Sequence, residues 1–166
     1  MRLLFICIFF LNSYIAYSQY VISTSVIYGG NVDFLFGSMT KYASGINFND
    51  YTNIKITARD TVNAAARWKF SVYATDTQLN GELGNSLPLN NIEIQVICKD
   101  HLNATIASTL FVPITSLPQD LITNIPQTTI GTYYSMYITY RCGVTTPLLG
   151  KNSDFYFSYL LFKVSF

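Results

Sequence analysis

Apolar and polar residues alternate with a period of two along most of this chain, the signature of half-buried β-strands. Tyr20, Ile22, Thr24, Val26 and Tyr28 share one parity until Gly29-Gly30 breaks the run. Val32, Phe34 and Phe36 continue the pattern, and Ile54-Lys55-Ile56-Thr57-Ala58 alternates cleanly. Trp68, Phe70, Val72 and Ala74 fall on one face of a further strand, and Ile92, Ile94, Val96 and Cys98 on another, with Glu93 and Gln95 opposite. Ile106 to Ile114 reads as a strand with Pro113 near its end. Tyr134, Met136, Ile138, Tyr140 and Cys142 share a face against Ser135, Thr139 and Arg141. Leu160, Phe162, Val164 and Phe166 line the last strand, within Phe155 to Phe166. Clusters of Gly, Pro, Asn and Asp separate these runs. The expectation is an all-β fold: a single antiparallel β-sandwich, Ig-like or pilin-like, of about seven or eight strands. Its core should hold Trp68, Phe70, Val72, Ile94, Val96 and Ile138. Helical period is weak. Asp60 to Arg67, with three alanines, suits a helical turn or a loop, and Leu117 to Asn124 has room for another turn between Pro118 and Pro126.

The N-terminus follows a different rule. Met1-Arg2 precedes the apolar run Leu3 to Leu11, and Ala16-Tyr17-Ser18 fits a small-residue cleavage site. Nine apolar residues fall short of the roughly 20 that a spanning helix needs. Residues 1–18 therefore read as a signal peptide and 19–166 as one β-sandwich domain, with no transmembrane helix in the mature chain. The chain is expected to be secreted or held at the cell surface, in the periplasm or at an outer membrane.

Removing the leader changes the cysteine count. Of three cysteines, Cys7 leaves, and Cys98 and Cys142 remain as an even pair in an oxidising compartment. Both lie on the apolar parity of their strands, so a Cys98–Cys142 disulfide is expected. Charge is sparse: 10 Lys+Arg against 9 Asp+Glu, and without Arg2 the balance is 9 − 9 = 0. A neutral chain lacks the basic footprint of a nucleic-acid binder.

Chemistry-bearing residues are few. The single His101 lies in a polar stretch without a second histidine or a cysteine at metal-ligand spacing. No G-x-S-x-G elbow occurs, and the spacing of Asp76, Glu82, Glu93 and Asp100 singles out no carboxylate pair. Asp76, Asn80 and Glu82 would suit a calcium loop only at a spacing foreign to the EF-hand. Asn103-Ala104-Thr105 is a glycosylation sequon where the host uses them. No catalytic, cofactor-binding or metal residue is assigned, and the chain is read as a non-enzyme. The aromatic excess, 13 Tyr and 12 Phe against 1 Trp, offers Tyr73, Tyr133, Tyr137 and Tyr156 as an outward platform for sugars or another chain.

Three local patterns add a resemblance. Ala66 to Ala74, with Trp68 leading the strand, follows Asp50-Tyr51-Thr52-Asn53-Ile54-Lys55-Ile56. Leu87-Pro88-Leu89-Asn90-Asn91 opens the strand that runs to Val96. Tyr137-Ile138-Thr139-Tyr140 precedes Leu148-Leu149-Gly150-Lys151 and the closing aromatic strand. This order, over most of residues 31–166, resembles secreted bacterial surface proteins with pilin-like, spore-coat-protein-U-like or WxL-like sandwiches. The tryptophan motif occurs once, and the cysteines do not match the usual pilin pair. The resemblance implies a structural or adhesive surface role, exercised through self-association, other surface proteins or glycans. An alternating strand ending in Phe166 is also similar to the last strand of small outer-membrane β-barrels. That barrel is the first alternative reading, and a carbohydrate-binding module the second.

Overall fold

The computed structural model describes residues 19–152 and 154–166; the expected leader, with Cys7, lies outside the described residues. Alternating side chains build two packed layers. In chain order the elements are β1 (Tyr20–Tyr28), helix α1 (Met39–Ser44), β2 (Ile46–Asp60), β3 (Arg67–Ala74), β4 (Gln78–Gly81) and β5 (Ser86–Pro88). A 3-10 turn (Leu89–Asn91) leads into β6 (Ile92–Asp100), followed by β7 (Thr105–Ser108), β8 (Val112–Pro113) and β9 (Gln119–Pro126). Strands β10 (Tyr134–Cys142), β11 (Tyr156–Phe157) and β12 (Leu160–Ser165) complete the chain.

Every pairing is antiparallel. The larger layer runs β1–β2–β10–β6–β7, with β8 also on β6. Two separate three-stranded sheets, β12–β3–β9 and β11–β4–β5, with β3 and β4 central, pack residues into the same core and are together called the smaller layer. Among the described residues the sheets stay open at their edges. The fold is an all-β sandwich, and the barrel alternative is overturned because neither layer closes on itself.

Register explains the core. Met136 faces Ile54 on one side and Cys98 on the other, and Ile138 faces Val96, so one parity of three neighbouring strands forms a continuous apolar floor. Trp68, Phe70, Val72, Ile94, Val96 and Ile138 are all buried. Phe70 stacks on Phe162 with centroids 5.5 Å apart, and the Trp68 indole donates its N–H to the Pro126 carbonyl at 2.8 Å. Strand β2, 15 residues long, is bulged around Asp50. Between Ile138–Thr52 and Tyr140–Phe48 it inserts extra residues, with Asp50 left-handed (φ 46°) and its N–H held by Thr139 Oγ1 at 3.0 Å. Asn-Asp is the dipeptide that tolerates such a bulge.

Several expectations need correction. Cys98 and Cys142 are free thiols rather than a disulfide. They lie on neighbouring strands and the same face, but Cys142 pairs with Ile92 while Cys98 pairs with Met136. Their offset of 98 − 92 = 6 positions is about 20 Å at the rise of a strand, far beyond a disulfide's reach. The segment considered for a helical turn, Leu117 to Asn124, enters β9 instead, because Ile122 and Ile125 are needed to close the core against β3. Asp60 to Arg67 is the end of β2, an irregular loop and the start of β3. The run from Ile106 to Ile114 is broken into β7 and β8. Val32, Phe34 and Phe36 do alternate, half-buried against exposed neighbours, but without a ladder partner among the described residues.

Candidate interaction surface

Strand β1 forms one edge of the larger layer, and its surroundings single it out. Sheet edges are usually blunted by shortness, charge or proline. The opposite edge follows that rule: β7 has 4 residues and β8 has 2, one of them Pro113. In the smaller layer, β9 carries Asp120, ion-paired to Lys69 at 2.9 Å, and β12 carries Lys163. By contrast, β1 is 9 residues long, YVISTSVIY, with no charge and no proline.

Backbone parity at this edge follows from one bond. Thr61 donates its N–H to the Gln19 carbonyl at 2.8 Å, which makes Gln19–Thr61 a hydrogen-bonded pair. Bonding alternates along an antiparallel ladder, so Val21, Ser23 and Ser25 bond to β2. The N–H and C=O groups of Ile22, Thr24 and Val26 point instead to the open edge. A bulge between Val26 and Tyr28 ends the regular stretch, and Gly29 turns the chain away in a left-handed conformation (φ 72°). A Cβ there would lie 2.0 Å from the Tyr51 carbonyl oxygen, so only glycine fits.

The side chains of β1 are as uncovered as its edge. Ile22, Thr24 and Val26 pair with Ala58, Ile56 and Ile54, and so share the core parity. Yet Ile22 is 41% and Val26 57% exposed, whereas Ala58 and Ile56 are 0%. The smaller layer stops short of β1. Contact between the two terminal strands is made by rings, with Tyr20 stacked on Phe166 at 4.9 Å. Val21 on the outer face and Ile27 at the bulge are exposed as well. An apolar strand exposed on both faces and, among the described residues, open at its edge is unusual for an isolated domain.

The outer face of the larger layer carries cations on tyrosines. Lys55 Nζ lies 3.8 Å from the Tyr133 ring centroid, and Lys99 Nζ lies 4.8 Å from that of Tyr137. His101 meets Tyr133 edge-on at 6.4 Å. Arg141 sits over Phe111 at 4.0 Å and pairs with Glu93 through two bonds of 2.8 and 3.1 Å. Partial desolvation raises the Glu93 carboxyl pKa, but the hydrogen bonds from Arg141 and Thr145 outweigh it and hold it below the usual value. A shallow hollow of about 430 Å³ separates this face from β1, lined among others by Val21, Lys55, Arg59 and Tyr133.

The four candidate platform tyrosines do not come together. Tyr133 and Tyr137 share the outer face of the larger layer, each already engaged by a lysine, whereas Tyr73 lies on β3 and Tyr156 on β11. The candidate carboxylates are spread as well. Glu93 is spent on Arg141. Asp100 accepts the N–H groups of Leu102 and Ala104 to close the β6–β7 turn, where Asn103 is exposed in a left-handed conformation (φ 68°). Asp76 accepts from Thr75 and Ser158, and Glu82 is exposed in the β4–β5 turn. Among the described residues no three of His, Cys, Asp or Glu converge on a point where a metal could sit. Nor is any helix among them long and apolar enough to cross a membrane. The Glu93–Arg141 pair and the lysine–tyrosine contacts were not foreseen from sequence. Outward parity was visible for Glu93 and Arg141, but the adjacency of β6 and β10 was not.

No protein-family model and no curated protein matches the chain. A family 123 glycoside hydrolase from Clostridium perfringens, a structure described for glycolipid glycan hydrolysis, is similar over 87% of this chain at 12% identity and a TM-score of 0.37. This chain spans 25% of that protein's length.

Proposed function

We propose that the chain is a non-catalytic structural or adhesive protein, exported to the cell surface or beyond, that works by lending strand β1 to another chain. The observation that carries this reading is β1 itself: long, uncharged, exposed on both faces and, among the described residues, open along its edge from Ile22 to Val26. An added strand would satisfy the outward N–H and C=O groups of Ile22, Thr24 and Val26, each new bond worth about 0.5–1.5 kcal/mol net. It would also cover apolar side chains that the smaller layer leaves bare.

Thr24→Pro tests this reading. Proline removes an N–H that faces the open edge and takes none from the β1–β2 ladder, the setting in which strand proline is tolerated. Fractionating the producing cells and sizing the native particle after mild extraction should find the wild type surface-associated or assembled, and Thr24→Pro released. A wild-type chain recovered as a free, unassociated monomer would overturn the proposal.

A further inference from the structure

The sequence of β1 reads almost the same in both directions: Tyr-Val-Ile-Ser-Thr-Ser-Val-Ile-Tyr, centred on Thr24. We infer that the chain paired with β1 is a second copy of this protein, docked antiparallel across a two-fold axis through Thr24. The inference rests on the edge-pairing reading above and names its partner.

A two-fold interface must be self-complementary, because each residue meets the residue its mate meets in return. In this register Thr24 faces Thr24 of the second copy, Ser23 faces Ser25 and Ile22 faces Val26, and across the bulge the sequence continues the match, Val21 toward Ile27 and Tyr20 toward Tyr28. Every pair matches like with like: hydroxyl on hydroxyl, β-branched on β-branched, aromatic on aromatic. These are the cross-strand pairs that stabilise sheets, each by about 0.2–1 kcal/mol.

The backbone agrees independently. Ile22, Thr24 and Val26 carry the outward N–H and C=O groups, and the register sets Ile22 and Thr24 against Val26 and Thr24, so outward groups meet outward groups. The palindrome's centre, Ile22 to Val26, lies on the regular stretch before the bulge. Opposed residues of antiparallel strands project to the same side, so the core-parity side chains of both copies fall together under the joined sheet. Space exists there, since the smaller layer stops short of Ile22 and Val26. The two larger layers would merge into one continuous sheet. With no charge on β1, like charges never oppose each other across the axis.

Sedimentation of the purified exported chain over a concentration series should show a monomer–dimer equilibrium little changed by salt, because the interface is uncharged. Thr24→Pro should abolish the dimer. Register is read by oxidation of single cysteine variants. Thr24→Cys places its sulfurs on strands about 5.5 Å apart at Cα, within disulfide reach, and should cross-link. Val21→Cys faces Ile27 and is offset from its own copy by 27 − 21 = 6 positions, about 20 Å, and should not. Cys98 and Cys142 are buried and add no background. A monomer at all concentrations, a dimer that survives Thr24→Pro, or equal cross-linking by both cysteine variants would overturn the inference. If the chain is monomeric but Thr24→Pro still releases it from the surface, the second copy falls and edge pairing stands. A dimer with the Thr24 signature that never associates with cells or assembles further leaves the second copy and its edge pairing standing and overturns the surface role instead.

Discussion

Trp68 shows how one side chain serves both hydrophobic and polar needs. Its ring is fully buried between the layers, tilted against Tyr134 at 5.6 Å, while its N–H reaches the Pro126 carbonyl at the end of β9. Trp68→Ala should therefore destabilise by about 3–5 kcal/mol in denaturant unfolding, the cost of emptying a large core site. A loss under about 1 kcal/mol would mean the site collapses freely, against the close packing expected of such a core. The two cysteines illustrate the opposite case, where residue type suggests chemistry that position withholds. Burial pushes the Cys98 thiol up to about 12, helped by Asp100, and burial alone does the same for Cys142. The thiolate is the reactive form, so both should be inert in the folded chain. A thiol reagent at pH 8 should label neither cysteine natively and both after denaturation. An intact mass two hydrogens short would instead reveal a bridge.

At the scale of elements, what the alternation of side chains could disclose and what it could not divide along a physical line. Period-2 patterning located β3, β6 and β10, because each lays one face in the core, and it located β1 as well, whose apolar residues alternate although neither of its faces is buried. The same rule missed β4, β5 and β9, whose short or bulged ladders hold few buried residues each: Leu79 in β4, Leu87 in β5, Ile122 and Ile125 in β9. Bulges between Trp68 and Ser71 let β9 place Ile122 and Ile125 inward although their spacing breaks strand parity. Helix α1 was invisible for another reason. It has no buried residue, and it exists because Ser38 caps the Lys41 N–H and Gly45 ends it. Parity put both cysteines in the core but said nothing of height along the strand, so the expected disulfide failed by register alone. Edge position was only partly legible. The uncharged length of β1 stood in the sequence, whereas the narrowness of the smaller layer, which leaves β1 bare, required the fold.

At the scale of the whole molecule, the charges that remain are placed to hold turns and edges, and this sets the response to pH. Asp60 is slightly desolvated, which raises its pKa, but N–H groups of Asn63 and Val62 and the Gln19 amide outweigh that and lower it. Asp154 behaves alike through Asn85, Leu83 and Phe155, and Asp120 is lowered by Lys69 and Ser71, with Glu93 lowered as described. A carboxyl whose folded pKa lies below its unfolded value stabilises the fold fully above that unfolded value, here 3.8 for Asp and 4.5 for Glu. The contribution is lost as pH falls through the folded values beneath. At the alkaline end the sign reverses. Cys98, Cys142 and Tyr140 are each pushed up to about 12 by burial, so the folded chain keeps protons that the unfolded chain releases above 9 to 10. Stability should thus be lost as pH climbs from there toward 12. Residues 19–166 carry no net charge. The thermal midpoint should be flat from about pH 5 to 8 and fall on both sides, more steeply in alkali, where the three shifts are largest. A midpoint still rising below pH 4, or unchanged at pH 11, would show that these groups are not held as the structure holds them.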